Sequence, residues 1–564
     1  MGWGFTYEYI NRKLAQLHYL SIEITYTFDN QFQSSICKST QMNVKSANTP
    51  IKKKSKFIPY LLLLSTILFF QYSWSQNISV KIIDATTKEP IPYATINIDK
   101  KEHLISNAEG FFNLSETAIQ DENTLTITYL GYKNLEVKVS QLSKLDYILA
   151  LTPTIFELDD VQVNGEKPNP YSIMATVKAN LSLNYSNTDN PIKDMLFVRK
   201  STATNPQEIV VDVNKSTGFS KQALKQVNSD IQNFTNTLVK SPPKEYTDML
   251  CNLFTHTIKK DSKSFVSHKM NVLKATVLKN EGSATSSEEL KQIGIKTMLK
   301  HLDSTKYYRI KSGLFGSQDT ISLRKDFNKK KTKNKKIDQS TLLTTTKYNL
   351  TQFIQNNNLG KSSEHDFINN PELYRYKFEG TTFTEDNDYA FVLSFSPKKG
   401  NAKFTGKLYI NESDYAVLRA EYQLDEGEKL NNVNLKWLLG IKVAQNTKKG
   451  ILMFRKKSEN KNYYLHYASE ENGNYFYVNR PLKFIEITKE DKDILSLDIK
   501  FEGNSLTKTE FLNLSHSLVT DADVAKVVEN KFNIVALKSY DPKIWKGYHA
   551  IEPVAELKRF RVKD

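Results

Sequence analysis

Val80-Lys-Ile-Ile-Asp-Ala-Thr-Thr-Lys-Glu-Pro-Ile-Pro-Tyr-Ala-Thr-Ile-Asn-Ile98 alternates apolar and polar residues, breaks at a turn, and alternates again. A period of two puts every second side chain on one face of a strand. Ile78, Val80 and Ile82 before the break, and Ala94, Ile96 and Ile98 after it, therefore predict two half-buried strands. The pattern recurs downstream in Leu125/Ile127/Tyr129, Leu135/Val137/Val139 and Tyr147/Leu149/Leu151. Such segments, about 8–12 residues apart and separated by Asp, Asn, Gly and Pro turns, predict a seven-strand β-sandwich over residues 77–153. Pro90 and Pro92 stiffen the entry to an edge strand. Gly110 supplies the backbone freedom of a tight hairpin. Tyr93, Phe111, Phe112 and Tyr129 are expected to fill the core.

Four spaced pieces carry a resemblance. A strand ends in Asp84, Glu89-Pro-Ile-Pro-Tyr-Ala94 makes a turn, Ser106-Asn-Ala-Glu-Gly-Phe-Phe112 makes a second, and Tyr129-Leu-Gly-Tyr132 ends a strand. In this order they resemble the carboxypeptidase regulatory-like domain, a transthyretin-type sandwich common in exported proteins of Gram-negative bacteria. The chain departs from the pattern with Lys88 where the family often has Gly, and with Asn107-Ala108 where it has Asp. The resemblance is to an accessory module and implies no zinc site. The one His-x-x-Glu pair, His549-Ala-Ile-Glu552, has no histidine after it to complete a ligand set. Phe156–Val163 resembles the exit strand ahead of a receptor plug, but the remaining length cannot supply a barrel of roughly 22 strands.

Upstream, Lys52, Lys53, Lys54 and Lys56 lead into the apolar run Phe57–Phe70, followed by Gln71-Tyr-Ser-Trp-Ser-Gln76. A basic flank, a short apolar core and small residues two apart form the signature of a cleavable secretion signal. The run falls short of the roughly 20 residues that span a bilayer. Residues 42–75 are thus expected to be a signal peptide, and residues 1–41 a spurious extension ahead of Met42. The exported chain belongs in the periplasm or against the outer membrane.

Residues 154–170 read as a linker and 171–345 as an α+β region. Helices are predicted at 172–183, at 224–238 from the stripe Leu224, Val227, Ile231, Phe234 and Leu238, and at 287–302. Strands are predicted at 246–256 and 272–278. The densest charge run is 324–336. There Lys329, Lys330, Lys331, Lys333, Lys335 and Lys336 are candidate contacts to an anionic surface, set against a solvated loop.

From 346 to 564 the pattern turns antiparallel and aromatic, with about ten strands between 372 and 505 and a helix at 520–532. Phe404-Thr-Gly-Lys-Leu-Tyr-Ile-Asn411 and Asp414-Tyr-Ala-Val417 are similar to envelope proteins that pair the regulatory-like sandwich with a sheet of lipoprotein-carrier type. That resemblance implies a groove for acyl chains or an extended polymer. The fold expected overall is mainly β with an α+β middle: a seven-strand sandwich followed by a large antiparallel open sheet and a few packing helices.

The chain of 564 residues carries a formal charge of +16. Export turns that charge away from nucleic acid and toward anionic lipid, acidic glycan or plain solubility. Cys251 is the one cysteine after the signal, which rules out an internal disulfide, and its apolar neighbours predict burial. No Gly-x-Ser-x-Gly or His-Glu-x-x-His motif occurs. Gly360-Lys-Ser362 lacks the first glycine of a phosphate loop, with Gln355 in its place. Asp303-Ser-Thr305 and Asp319-Thr-Ile321 resemble short bacterial O-glycosylation sequences. The expectation is a non-enzymatic envelope protein without cofactor or metal. It would bind an envelope protein, a glycan or a lipid, with peripheral membrane contact. The alternative is a periplasmic lipid or lipoprotein carrier using the concave face of the sheet.

Overall fold

The computed structural model describes residues 78–562, except 100–101, 115–121, 155–167, 187–189, 217–219, 261–262, 280–304, 313–314, 317–338, 361–363, 385–387, 458–461, 489–491 and 549. The basic run at 329–336, the helix expected at 287–302 and the signal segment lie outside the described residues, as do most of the O-glycosylation-like triplets.

Seven strands build the first unit: β1 (Ile78–Asp84), β2 (Thr95–Ile98), β3 (Glu102–Ile105), β4 (Phe111–Leu114), β5 (Thr124–Thr128), β6 (Leu135–Lys138) and β7 (Ile148–Leu151). They form two sheets, ordered β4-β1-β7 and β3-β2-β5-β6. The sandwich is not wholly antiparallel, because β7 pairs parallel to β1. The inward residues Val80, Ile82, Ile96, Ile98, Leu125, Ile127, Leu149 and Leu151 close one core. Each fully buried aliphatic side chain contributes about 1.5–3 kcal/mol.

The motif residues now have physical roles. Asp84 accepts the backbone N–H of Thr86 at 2.6 Å and of Thr87 at 2.8 Å, and the Tyr132 hydroxyl at 2.7 Å. Asn107 does the work of the expected Asp: its Oδ1 accepts the N–H groups of Glu109 and Phe111, both at 2.9 Å. At Gly110, with φ +78°, a Cβ would stand 2.6 Å from the Ile82 carbonyl oxygen. Lys88, where Gly is usual, sits at φ +64°, a left-handed conformation that costs a residue with a Cβ about 1–2 kcal/mol.

The second unit is one 14-stranded sheet. Its strands are β8 (Ile192–Ser216), β9 (Lys244–Lys260), β10 (Lys263–Lys279), β11 (Tyr308–Ser312), β12 (Phe315–Gly316), β13 (Tyr374–Phe383), β14 (Tyr389–Pro397), β15 (Phe404–Asn411), β16 (Val417–Leu424), β17 (Leu430–Leu435), β18 (Ile441–Lys456), β19 (Tyr463–Glu486), β20 (Lys492–Leu518) and β21 (Val535–Leu537). The main path runs β13-β14-β15-β16-β18-β19-β20-β8-β9-β10-β21 and is antiparallel except for β10 with β21. The helices are α1 (Pro170–Asn184), α2 (Lys221–Lys240), α3 (Gln339–Asn356), α4 (Asp366–Asn369), α5 (Lys436–Leu439), α6 (Asp521–Lys526) and α7 (Ala555–Arg559).

Several expectations are corrected. Hydrogen bonding does not part 171–345 from 346–564, since β8, β9 and β10 join the same sheet as β13–β20. Eight strands, β13–β20, stand where about ten were expected between 372 and 505, because β19 runs unbroken through the segments 463–467, 475–477 and 484–486 that read as three. Leu435, Trp437 and Leu439 alternate as a strand would, but Leu435 ends β17. Residues 436–439 coil into one helical turn that ends at Gly440 in the left-handed region. The helix expected at 520–532 stops at Lys526. Thr520 and Asp523 close a capping box at its start, but Val527 is already extended.

The sheet is covered on both faces. On the inner face, Ile173, Met174, Val177 and Leu181 of α1, Leu343 and Leu350 of α3, and Phe367 and Ile368 of α4 pack against Leu196, Cys251, Leu393, Leu408, Leu452 and Phe511. Cys251 is fully buried, and burial followed by the nearby Asp194 pushes its thiol up to about 12, so it packs as a small hydrophobe. Helix α2 covers the far end, setting Val227 and Ile231 on Val213, Leu495 and Leu497.

On the outer face sit the sandwich and the C-terminal tail. Tyr93, expected in the sandwich core, instead stacks on Tyr467 of β19 at 4.8 Å. Tyr129 also reaches across: its hydroxyl accepts from Arg419 at 2.5 Å, and the guanidinium lies 4.2 Å from its ring centroid. Phe111 is only partly buried, under Lys81, which leaves Phe112 as the core aromatic of the four. Arg199 on β8 binds Asp248 on β9 through two bonds of 2.8 and 2.7 Å and donates to the tail carbonyl of Ile551 at 3.0 Å.

Arg199 and Asp248 side chains are each 5% exposed, so removing one partner strands a buried charge. Arg199→Ala and Asp248→Ala are each expected to cost about 3–5 kcal/mol in urea unfolding, with the double variant costing less than the sum. Lys88→Gly is expected to raise stability by about 1 kcal/mol in the same assay.

Candidate functional site

The turn Asp414–Val417 fixes the roof of the inner face. The Asp414 carbonyl accepts the side chains of Asn180 and Asn184 on α1 at 3.2 and 3.0 Å. The Tyr185 hydroxyl, just past α1, donates to the Val417 carbonyl at 2.8 Å. Helix α1 starts where the linker ends because Asn169 caps it, accepting the Tyr171 N–H at 2.9 Å, with Pro170 in the first turn. Opposite, α3 is held by Phe353 against Phe511 and by Lys347 on Glu529 at 2.7 Å.

Between this roof and strands β8, β9, β10 and β20 lies a cavity of about 530 Å³. Its apolar wall comes from Leu196, Leu253, Ile354, Phe454, Leu465 and Phe511, and its polar wall from Asp194, Thr255, His256, His268, Asn513 and His516. Strand register explains the polar wall. Asp194 lies opposite His516 of β20, and Thr255 of β9 lies between Ile192 of β8 and His268 of β10. One carboxylate organises its centre: Asp194 Oδ1 is 2.6 Å from His516 Nδ1 and accepts Asn513 Nδ2 at 2.9 Å. The His516 ring stacks on Tyr464 at 4.4 Å with an interplanar angle of 9°. His268 Nδ1 meets the Thr255 hydroxyl at 3.1 Å, and burial, then Lys347, lowers the pKa of this histidine.

The convergence of histidines and an acid raises the question of chemistry. Among the described residues no group of three or more His, Cys, Asp or Glu could hold a metal ion. Among the described residues His516 Nε2 is buried and makes no hydrogen bond. The arrangement is an ordered polar rim on an apolar chamber.

A second cavity, about 880 Å³, lies between the sandwich and the outer face, with Arg375, Lys377, Lys407, Lys449 and Lys508 in its lining. Much of its charge is committed internally. Lys377 pairs with Glu379 at 3.0 Å, Lys449 with Glu471 at 3.0 Å, and Lys508 with Glu510 at 3.0 Å and the Tyr93 hydroxyl at 3.1 Å.

The candidate lysines at 329–336 lie outside the described residues. His549 also lies outside, while Glu552 is tied to Asn113 at 2.5 Å. Asp194, His268, Asn513 and His516 escape sequence reading because the partners stand 322 positions apart in the case of Asp194 and His516, and no local spacing marks them. The alternating pattern of β8, with Asp194 between Ile192 and Leu196, is the one available signal: a carboxylate on an inward position.

The family model described as the CarboxypepD_reg-like domain matches residues 78–163. Residues 78–163 are a carboxypeptidase regulatory-like domain. The regulatory-like domain in this chain is therefore the sandwich whose Tyr93 and Tyr129 grip the sheet. No curated protein matches the chain. Among solved structures, the chain aligns with one from the complex structure of Pseudomonas aeruginosa MucA/MucB at 7% identity and a TM-score of 0.15, over 62% of this chain and 99% of that one. A superposition that loose says nothing about fold or role. No described helix is long and apolar enough to cross a membrane.

His365, beside α4, is 2% exposed, and neither ring nitrogen has a partner. Burial, then Lys448, lowers its pKa to about 3. The unfolded imidazole takes up a proton near pH 6.5 and the folded one only near 3, so its contribution is full above 6.5 and declines as pH falls toward 3. Unfolding at pH 5 is expected to be about 2 kcal/mol easier than at pH 7.5 on account of this group. His365→Leu should remove that part of the pH dependence in urea titrations.

Proposed function

We propose that this protein is an exported, non-catalytic binding protein of the cell envelope, and that its ligand is a small amphiphile held between the inner face of the sheet, helix α3 and Tyr185 just past α1. The cavity of about 530 Å³ supports this reading, because an apolar floor with one ordered polar rim matches a molecule having an apolar body and a hydrogen-bonding end. The reading draws together the expected binding role and the carrier alternative. Most of the inner face is filled by α1, α3 and α4, so the space fits one small ligand or a length of acyl chain and not an extended polymer. The regulatory-like domain serves as a brace on the opposite face, held by Arg419, Lys508 and the tail. Export rests on the basic and apolar run at 52–70.

Two measurements test the proposal. N-terminal sequencing of the cell-fractionated protein is expected to start near Gln76; recovery of intact precursor from the cytosol would remove the envelope assignment. A fluorescent apolar probe such as N-phenylnaphthylamine is expected to bind and to be displaced by fatty acid. Ile354→Trp, which fills the cavity, should weaken binding by about tenfold or more, and Val266→Glu, at a half-exposed lining position, should weaken it too, with little change in thermal midpoint. Unaltered probe binding in both variants would sink the reading, as would turnover of a peptide or sugar substrate that a single point change abolishes.

A further inference from the structure

Among the described residues, Trp437 and Leu438 are the two most exposed large apolar side chains. Trp437 is 103% exposed and its neighbour Leu438 is 78% exposed, both on the single helical turn α5 at the tip of the β17–β18 hairpin. A tip that waved freely would be unremarkable, but this one is pinned. Gly440 donates to the Lys436 carbonyl at 3.1 Å and accepts the Asn479 N–H at 2.7 Å. It sits at φ +65°, where a Cβ would stand 2.0 Å from the Asn479 carbonyl oxygen. The backbone therefore holds an indole and an isobutyl group out in solvent at a fixed place on the sheet edge.

Two lysines flank the turn. The Lys436 ammonium lies 3.9 Å from the Tyr477 ring centroid, and that of Lys442 lies 5.5 Å from the Tyr475 centroid. Arg480 packs against Gly440. Next along the sheet, Asn479 pairs with Lys500, and Lys500 with Val210, which is 47% exposed. The carboxylates of this face are Glu208, Glu502, Asp498 and Asp212; Glu208 is engaged by Lys500 at 2.6 Å, Glu502 by the Tyr475 hydroxyl at 2.7 Å and Asp498 by the Asn214 side chain at 2.6 Å.

We propose that α5 is a membrane-interface anchor, Trp437 and Leu438 entering the headgroup boundary of an anionic phospholipid surface while Lys436 and Lys442 meet its phosphates. Trp settles at the boundary between water and hydrocarbon because its ring is apolar and its N–H still finds a partner there. Nearby lysines add attraction to anionic lipid, and neither contribution requires a spanning helix. The two flanking lysines favour an anionic bilayer over a second copy of this basic chain. This inference does not depend on the ligand of the inner cavity.

The test is co-sedimentation of the purified chain with phosphatidylcholine vesicles containing about 30% phosphatidylglycerol or none, with quenching of tryptophan fluorescence by brominated acyl chains. Binding is expected on the anionic vesicles and much less on the neutral ones, with quenching that disappears in Trp437→Phe/Leu438→Ser. Trp437→Ser/Leu438→Ser should weaken binding at least about tenfold with no change in thermal midpoint, since both side chains are solvated. Lys436→Gln/Lys442→Gln should lower both affinity and salt dependence. Replacing the six lysines of 329–336 by Gln separates the sources. Loss of binding there, with full retention in the Trp437/Leu438 variant, would overturn the proposal. So would equal binding to neutral vesicles, or a dimer in sedimentation velocity that the Trp437/Leu438 change dissolves.

Discussion

Strands of 25, 24 and 27 residues (β8, β19 and β20) lie side by side at the centre of this protein, and a sheet so long has two faces to cover. Both faces carry large apolar side chains, so neither is left to water. The inner face takes α1, α3 and α4; the outer takes the regulatory-like domain and the tail. The sandwich is therefore not a bead on a string. It is part of the packing, and Arg419, fully buried between Tyr129 and Glu421, is the most demanding element of that contact. A guanidinium taken from water is tolerated because a carboxylate, a phenol oxygen and a ring face meet it.

That constraint also explains the two cavities. Helices have cylindrical surfaces and a long sheet twists, so α1 and α3 cannot follow the inner face over its whole width. The inner gap opens beside α3, where Asp194, Thr255, His268 and His516 stand among the aliphatic residues of β8, β9, β10 and β20. On the outer side the small sandwich covers only the middle of the sheet. What remains is lined by lysines that mostly satisfy neighbouring carboxylates.

The regulatory-like domain was legible because its signals are local. Asp84 and its turn, Gly110 and the Tyr129-Leu-Gly-Tyr132 strand end each work within a few residues, or within one small core. Helices α1 and α2 were legible from their apolar residues, at 172–183 and in the stripe 224–238. By contrast Tyr93 and Tyr129 look like core residues in sequence, since an aromatic on an alternating strand reads the same whichever partner buries it. The turn at 436–439 reads as a strand for a similar reason: three apolar residues spaced by two carry no record of the left-handed Gly440 that closes the coil.

By itself the sequence determined the class of the fold, the sandwich and its turns, the burial of Cys251 and the basic character of the chain. All of these follow from short-range periodicity and from backbone preferences. Only the tertiary structure decided that 171–345 and 346–564 share one sheet, that the sandwich is clamped to its outer face, and that Asp194, His268, Asn513 and His516 meet around one chamber. Strand pairing over hundreds of residues is set by register and by shape fit between layers, and neither leaves a mark in local spacing.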